Sequence, residues 1–207
     1  MENDKSKLLV VMGCQRSGTT LLAAMLGGHS EINMLFESTS NDIQKLIGKK
    51  YSGNKLLAWR QIRMNRRAST LGHLINRIAN LHFDSKKHHK IRPFPTSAMC
   101  LQDYIERNAA IITIVREKTE VIDSITTRTQ MTQAQAENEY DRSMELINKL
   151  GSRAHQVQFS DLIHNPIETL TLVCDFLDLD FEDRMLKGVE YNFVYPNSNL
   201  VTEKSKP

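Results

Sequence analysis

Cysteine and long apolar runs are both scarce in this chain. The 207 residues include three cysteines, an odd number at wide spacing, which disfavours a disulfide framework and a C-x-x-C zinc motif. The first apolar run, residues 8–12, has the length of a strand and falls far short of the ~20 apolar residues that span a bilayer. Residues 1–4 are polar and acidic, unlike a secretory signal peptide. We therefore expect a cytoplasmic protein with reduced thiols and no membrane span.

Aromatic residues are also few, at 6%, and the net charge of +3 is small. That charge is unevenly distributed: ten Lys and Arg lie between positions 55 and 92, where the single acid is Asp84. Such a basic segment indicates that an anion is bound, whereas the lack of interleaved aromatic residues disfavours nucleic acid. We expect no metal site at His82, His88 and His89, because the flanking lysines would repel a divalent cation.

Strand and helix patterns alternate along most of the chain. Residues 8–12, 32–36, 111–115 and 155–159 are short apolar or β-branched runs, and helical patterns follow most of them. Pro166 is placed to open a helix whose Leu170, Val173, Cys174 and Leu177 share one face. This alternation predicts one α/β domain: a parallel sheet of four or five strands flanked by helices.

A glycine-containing loop lies between the first strand and the first helix. Residues 13–20, Gly-Cys-Gln-Arg-Ser-Gly-Thr-Thr, are called the anion loop below. Its two glycines let consecutive N–H groups point inward, and the following helix adds the positive end of its dipole, so a phosphate or sulfate fits there. A tight turn with an incidental arginine is the structural alternative.

The anion loop has the spacing of a nucleotide P-loop, but Thr19 occupies the position of the P-loop lysine. The loop's cation is Arg16 instead. A kinase would also need an acid after a neighbouring strand to hold magnesium, and the strand at 111–115 is followed by Arg116. A small-molecule kinase with a degenerate loop therefore remains only as an alternative.

The run Arg16-Ser17-Gly18-Thr19-Thr20 resembles the 5′-phosphosulfate loop, P-[RK]-S-G-T-T, of sulfotransferases that use 3′-phosphoadenosine 5′-phosphosulfate (PAPS). Gln15 replaces the usual proline. The first helix after the loop is similar to that of tyrosylprotein sulfotransferases. The resemblance implies a P-loop-like sulfotransferase fold, PAPS as the donor and no metal. It implies that Arg16, Ser17, Gly18, Thr19 and Thr20 bind the 5′-phosphosulfate, with Arg16 also catalytic.

Arg116 and Ser124 form a second candidate pair. Arg116 ends a strand, and Ser124 lies eight residues later, about two turns up the next helix, so both can face one anion. In the PAPS-dependent sulfotransferases that the chain resembles, an arginine and a serine at this spacing hold the 3′-phosphate of the nucleotide. A guanidinium suits a terminal phosphate because it can donate two parallel hydrogen bonds. An ordinary strand-end arginine and helix serine are the structural alternative.

Glu37 follows the second strand directly. Aligned from Arg16, it matches the catalytic base of tyrosylprotein sulfotransferases, and a carboxylate beside the anion loop could take a proton from an acceptor. A helix-end charge or an exposed loop acid are the alternatives. Near the C-terminus, residues 159–182 also resemble the family, with Phe159 in place of its usual tyrosine.

We thus predict a single sulfotransferase-like domain over residues 1–207. Residues 41–109 are expected to be a variable, mostly helical acceptor-side region, and residues 196–207 a flexible tail. The predicted reaction moves a sulfuryl group from PAPS to a hydroxyl or amine of a small-molecule, glycan or peptide acceptor, which the basic segment suggests is anionic. A binding module without catalysis is the second alternative, and the oligomeric state is left open. The family's K-x-P element has one weak counterpart, at residues 90–93.

Overall fold

The computed structural model describes residues 6–38, 43, 48–59, 69–79, 94 and 99–191. The strands are β1 (Lys7–Gly13), β2 (Ile32–Phe36), β3 (Tyr51–Leu57), β4 (Ala110–Val115) and β5 (Ala154–Gln158). The helices are α1 (Thr19–Gly27), α2 (Thr70–Ile78), α3 (Leu101–Glu106), α4 (Lys118–Arg128), α5 (Gln133–Asn148), α6 (Phe159–His164) and α7 (Pro166–Phe176). Two 3₁₀ segments, Gly151–Arg153 and Asp183–Tyr191, complete the described elements.

All five strands form one parallel sheet in the order β2-β3-β1-β4-β5. β1 lies at the centre because its run of apolar residues is buried on both faces, as a central parallel strand requires. The predicted fold class is confirmed. Because the strands are parallel, their carboxyl ends meet at one edge, where β1, β2 and β4 are followed by the anion loop, Glu37 and Arg116.

Helices cover both faces of the sheet. On one face, α1 and α7 pack against alternate residues of β1 such as Leu9 and Val11. On the other face, Val10 and Met12 of β1 pack with Leu56 and with Tyr104 of α3. The predicted apolar stripe of α7 is fully buried in the first cluster: Leu170, Val173, Cys174 and Leu177. Alternation along each strand thus supplies two apolar layers from one sheet.

β3 lies inside the region that was expected to be mostly helical. All seven of its residues are buried, although Ser52, Gly53, Asn54 and Lys55 are polar or lack a side chain. The sequence did not indicate this strand because a run of polar residues has neither the apolar continuity nor the alternation typical of a strand. The difference matters because β3 pairs with both β1 and β2 and therefore lies directly under the candidate site.

Several expectations fall outside the described residues: the basic residues 60–68, the histidines at 82, 88 and 89, residues 90–93 and the tail at 196–207. The three cysteines are all described, and each is a buried thiol outside any disulfide: Cys14, Cys100 and Cys174. Within the part of the chain that is described, no helix is long and apolar enough to cross a membrane.

Candidate active site

The anion loop fits tightly against its neighbours at two glycines. A Cβ on Gly13 would lie 2.6 Å from the carbonyl oxygen of Ile114, so a side chain there would collide with β4. Gly18 has a φ of 94°, in the left-handed region that favours glycine, and its Cβ would lie 2.4 Å from Cδ2 of Phe159. The loop can therefore adopt this path only with glycine at both positions.

The loop delivers backbone donors at the start of α1. Gly18 occupies the N-cap position and has no side chain with which to cap the helix. The N–H groups of Thr19, Thr20 and Leu21 have no acceptor within the helix by helix geometry, whereas Leu22 N–H already donates to the Gly18 oxygen at 3.1 Å. Three donors at the positive end of a helix dipole suit an anion. The loop also closes on itself, because Ser17 N–H donates to the Cys14 oxygen at 3.2 Å.

Arg16 projects from the middle of the loop in a left-handed conformation, with a φ of 68°. Its Nε donates to the Ser124 hydroxyl oxygen at 3.0 Å, across 108 positions of sequence. Positive φ is uncommon for an arginine and is found where the surrounding structure imposes it. The contact joins the predicted 5′ cation to the predicted 3′ serine, two groups that had been expected to face different parts of one nucleotide.

Arg116 reaches the same loop from the end of β4. Its Nη1 donates to the Arg16 carbonyl oxygen at 3.3 Å, and its Nε forms an ion pair with Glu120 at 2.7 Å. The guanidinium also lies 4.4 Å from the centre of the Phe159 ring, in cation–π contact. The same ring touches Gly18, so Phe159 supports both the loop and the arginine. Phe159 makes both contacts through its ring alone, without the hydroxyl of the tyrosine that is usual at this position.

Glu37 follows β2 at the same edge of the sheet and is also left-handed, with a φ of 52°. Its N–H donates to the Lys55 oxygen at 2.8 Å, and the Lys55 ammonium forms an ion pair with its carboxylate. The Lys55 side chain is only 6% exposed, whereas that of Glu37 is 29% exposed. The cation is thus buried behind the carboxylate, and the carboxylate faces outward.

The segment after Glu37 is held to β3 as well. Ser38 N–H donates to the Asn54 side-chain oxygen at 3.1 Å, and the Asn54 amide donates to the Ser38 oxygen at 2.9 Å. Asn54 and Lys55 are consecutive in a strand, so their side chains leave opposite faces of the sheet. The end of β2 is therefore fixed from both sides, which explains how a glutamate is kept in a left-handed conformation.

Comparison with known proteins identifies the family. The model described as "Sulfotransferase family" matches residues 9–183. The chain belongs to this sulfotransferase family. The match includes the anion loop, Glu37, Lys55, Arg116 and Ser124. None of the curated protein sequences is significantly similar to the chain.

Solved sulfotransferases share the fold. The sulfotransferase domain from the Synechococcus PCC 7002 olefin synthase aligns over 91% of this chain and 79% of its own, at 20% identity and a TM-score of 0.53. The domain from the curacin biosynthetic pathway aligns over 88% of this chain and 77% of its own, with 20% identity and a TM-score of 0.50. Mouse sulfotransferase SULT7A1, complexed with PAP, aligns over 88% of this chain and 62% of its own, with 11% identity and a TM-score of 0.53.

Lys55 and Asn54 are the functional candidates of this sulfotransferase that the sequence did not reveal. The sequence pattern indicates Lys55 only as the first residue of the basic segment. A usable signal was present: a lysine directly followed by Leu56 and Leu57, which are both buried, in a run with strand length. A lysine in such a position must find a partner, because an unpaired buried charge is costly.

Potential metal ligands are dispersed over the described part of this sulfotransferase. Among the described residues, no three or more histidine, cysteine, aspartate or glutamate side chains are grouped closely enough to hold an ion. The positive charge at the sheet edge comes from Arg16, Lys55, Arg116 and the start of α1. Two of these cations are paired with carboxylates: Lys55 with Glu37 and Arg116 with Glu120.

Proposed function

We propose that this sulfotransferase moves the sulfuryl group of PAPS to a hydroxyl or amine acceptor. The observation that carries the proposal is the meeting of two motifs about 100 positions apart: Arg16 of the anion loop contacts Ser124, and Arg116 contacts the backbone of Arg16. Such a site can hold two anionic groups close together, which is what a nucleotide with a 5′-phosphosulfate and a 3′-phosphate presents. Mouse SULT7A1, which shares the fold, is described as complexed with PAP.

The anion loop would hold the 5′-phosphosulfate. The N–H groups of Thr19, Thr20 and Leu21 and the hydroxyls of Ser17, Thr19 and Thr20 are suitable donors, and Arg16 supplies the charge. Ser124 and Arg116 would bind the 3′-phosphate. Arg116 is already oriented for this by Phe159 and Glu120, so little side-chain freedom would be lost on binding.

In the proposed transfer step, Glu37 acts as the general base. Its carboxylate takes the proton of the acceptor O–H or N–H while the acceptor atom forms a bond to sulfur. The bond between sulfur and the bridging phosphate oxygen breaks, and its electron pair stays on that oxygen. Arg16 neutralises the charge that grows there, as do donors in an oxyanion hole. Lys55 acts as a positioning residue, since its ion pair holds the Glu37 carboxylate at the edge of the sheet from which the loop also emerges.

The partial exposure of Glu37 favours catalysis over a module that only binds anions. A carboxylate beside an anion-binding loop opposes binding of the anion, so a pure binding module gains nothing from it. The left-handed backbone of Glu37 carries an energetic cost, which supports a functional reason for keeping a carboxylate paired with Lys55 at this edge of the sheet. A kinase is disfavoured because Thr19 stands in the lysine position of a nucleotide P-loop.

The donor assignment is tested by thermal unfolding with adenosine 3′,5′-bisphosphate (PAP), ADP and ATP with magnesium. At 100 times its dissociation constant, PAP should stabilise the fold by about 2.7 kcal/mol. ADP lacks the 3′-phosphate and should stabilise it much less. Arg116→Ala should bring the two shifts together, whereas Arg128→Ala, which removes an exposed arginine from the same part of the chain, should not. Equal shifts from PAP and ADP in the unmodified protein would contradict the proposal.

A further inference from the structure

An open groove of about 570 Å³ lies on the α1 face of the sheet, between β2, the end of α1 and the 3₁₀ segment Asp183–Tyr191. Apolar side chains of β2 form part of its lining, chiefly Met34 and Phe36. Phe36 is 50% exposed, the highest fraction of any large apolar residue in the described strands. Gly27 of α1 lies opposite Met34 and keeps the groove wide, since a Cβ there would be 3.3 Å from the Met34 side chain.

Three cations line the groove: Lys49, Arg184 and Lys187. Lys49 and Arg184 lie at its end near the start of β2, because Lys49 contacts Ile32 and Arg184 pairs with Glu182, which accepts a hydrogen bond from Ser30. Lys49 Nζ donates to the Ile32 oxygen at 3.0 Å, and Arg184 Nε pairs with Glu182. An ammonium has three donors and a guanidinium five, so both keep the capacity to bind an anion. Lys187 is exposed. None of the described residues that line the groove is acidic.

The other end of the groove leads to Glu37, which follows Phe36 in the chain. The groove and the Glu37 carboxylate both lie on the α1 face of the sheet. Gly53 faces this side, because a Cβ on it would touch Met34 and Leu9. Lys55, two residues further along β3, therefore points to the same side, where it pairs with Glu37. From Ile32 to Phe36 the strand rises by roughly 13 Å at about 3.3 Å per residue. An occupant of that length with one end at Glu37 would therefore place its other end beside Lys49 and Arg184.

We infer that this groove binds the acceptor, and that the acceptor is an elongated aliphatic molecule with a hydroxyl or amine at one end and an anionic group at the other. This rests on the proposed function, because it takes Glu37 as the base. The size of the groove is that of small-molecule sites, and its apolar lining with a charged end matches an amphiphile. The positive charge of the groove favours an acceptor with an anionic group, and the length of the groove favours a long aliphatic chain.

Binding is measured first without turnover, by titration calorimetry of the full chain with decanoate and butanoate. Decanoate should bind at least about tenfold more tightly, because its longer chain lies on Met34 and Phe36. Lys187→Glu should weaken decanoate binding about tenfold. Lys149→Glu is the matched control, an exposed lysine at the end of α5. Phe36→Ser should weaken it about fivefold, whereas Phe176→Ser, which removes a 41% exposed ring on α7, should have no effect.

Turnover is then compared for ω-hydroxydecanoate and decanediol with PAPS as donor. The hydroxy acid should have the lower KM, and Lys187→Glu should remove most of that difference. If PAP stabilises the fold but decanoate does not bind, or binds equally well to the Lys187→Glu variant, the groove inference is wrong and the donor assignment stands. If decanoate binds as expected but PAP gives no more stabilisation than ADP, the proposed function fails, and the groove's role as an acceptor site fails with it.

Discussion

Replacing Gly18 with alanine tests how tightly the anion loop is fitted to the rest of the site. Two costs add in this variant. The φ of 94° costs an L-residue roughly 1–2 kcal/mol. The new methyl group would also lie 2.4 Å from the Phe159 ring, and such overpacking costs typically about 1–3 kcal/mol. The free energy of unfolding should therefore fall by about 2–5 kcal/mol, which denaturant titration measures.

Gly48→Ala separates the two costs. Gly48 also has a positive φ, 86°, but a Cβ there meets no atom of the described residues within 4 Å. This variant should lose only the backbone term, roughly 1–2 kcal/mol. The excess loss in Gly18→Ala is then the collision with Phe159. It should disappear in a Phe159→Ala background, where the double-mutant cycle measures the coupling directly.

The same cycle connects packing to function. A displaced Phe159 ring no longer supports Arg116, whose guanidinium lies 4.4 Å from the ring centre. Gly18→Ala should therefore reduce the stabilisation by PAP, whereas Gly48→Ala should leave it unchanged. If Gly18→Ala destabilises the protein no more than Gly48→Ala does, or if the loss persists without the ring, Phe159 does not set the path of the loop and the reasoning is refuted.

Three further outcomes are expected. Glu37→Gln cannot accept a proton and should lower turnover by about 10²-fold or more with little change in PAP affinity; near-normal turnover would remove Glu37 as the base. Arg16→Ala should lower kcat by about 10²–10³-fold and PAP affinity far less, and Arg16→Lys should recover part of the rate. Equal losses in kcat and PAP affinity would instead show that Arg16 binds the ground state. Hydrogen bonds from Arg184 and Ser30 lower the pKa of Glu182 to about 2, below its ordinary 4.5. The stability this provides is present above pH 4.5 and is lost as the pH falls toward 2, so unfolding curves of Glu182→Gln should depend less on pH in that window.

The sequence predicted the parts of the site that are carried by local motifs. The anion loop follows a clear apolar strand and precedes a clear helix, so its position at the sheet edge followed from topology alone. Arg116 and Ser124 were placed by the same logic, because β4 is the clearest β-branched run and a helix follows it. Parallel strands bring their carboxyl ends to one edge, which is enough to predict proximity without knowing any contact.

Contacts between distant side chains were beyond such reasoning. Arg16 was expected to face the 5′ group, yet its Nε contacts Ser124, because a long side chain on a left-handed backbone can turn toward α4. Lys55 was missed for a different reason. Its strand is buried under helices on both faces and pairs with β1 and β2, so tertiary packing overrides the low strand preference of Ser52, Gly53 and Asn54.

The three buried thiols can report local unfolding of the protein through their rates of alkylation. Cys14 lies in the anion loop, Cys100 before α3 and Cys174 in α7, so each can be alkylated only when its own region opens. Burial raises the pKa of Cys174 to about 11, which leaves little thiolate there even at alkaline pH. Labelling rates followed by mass spectrometry would thus rank the opening of three regions in one experiment. An anion held in the loop would slow the labelling of Cys14 while the rate at Cys174 stayed the same.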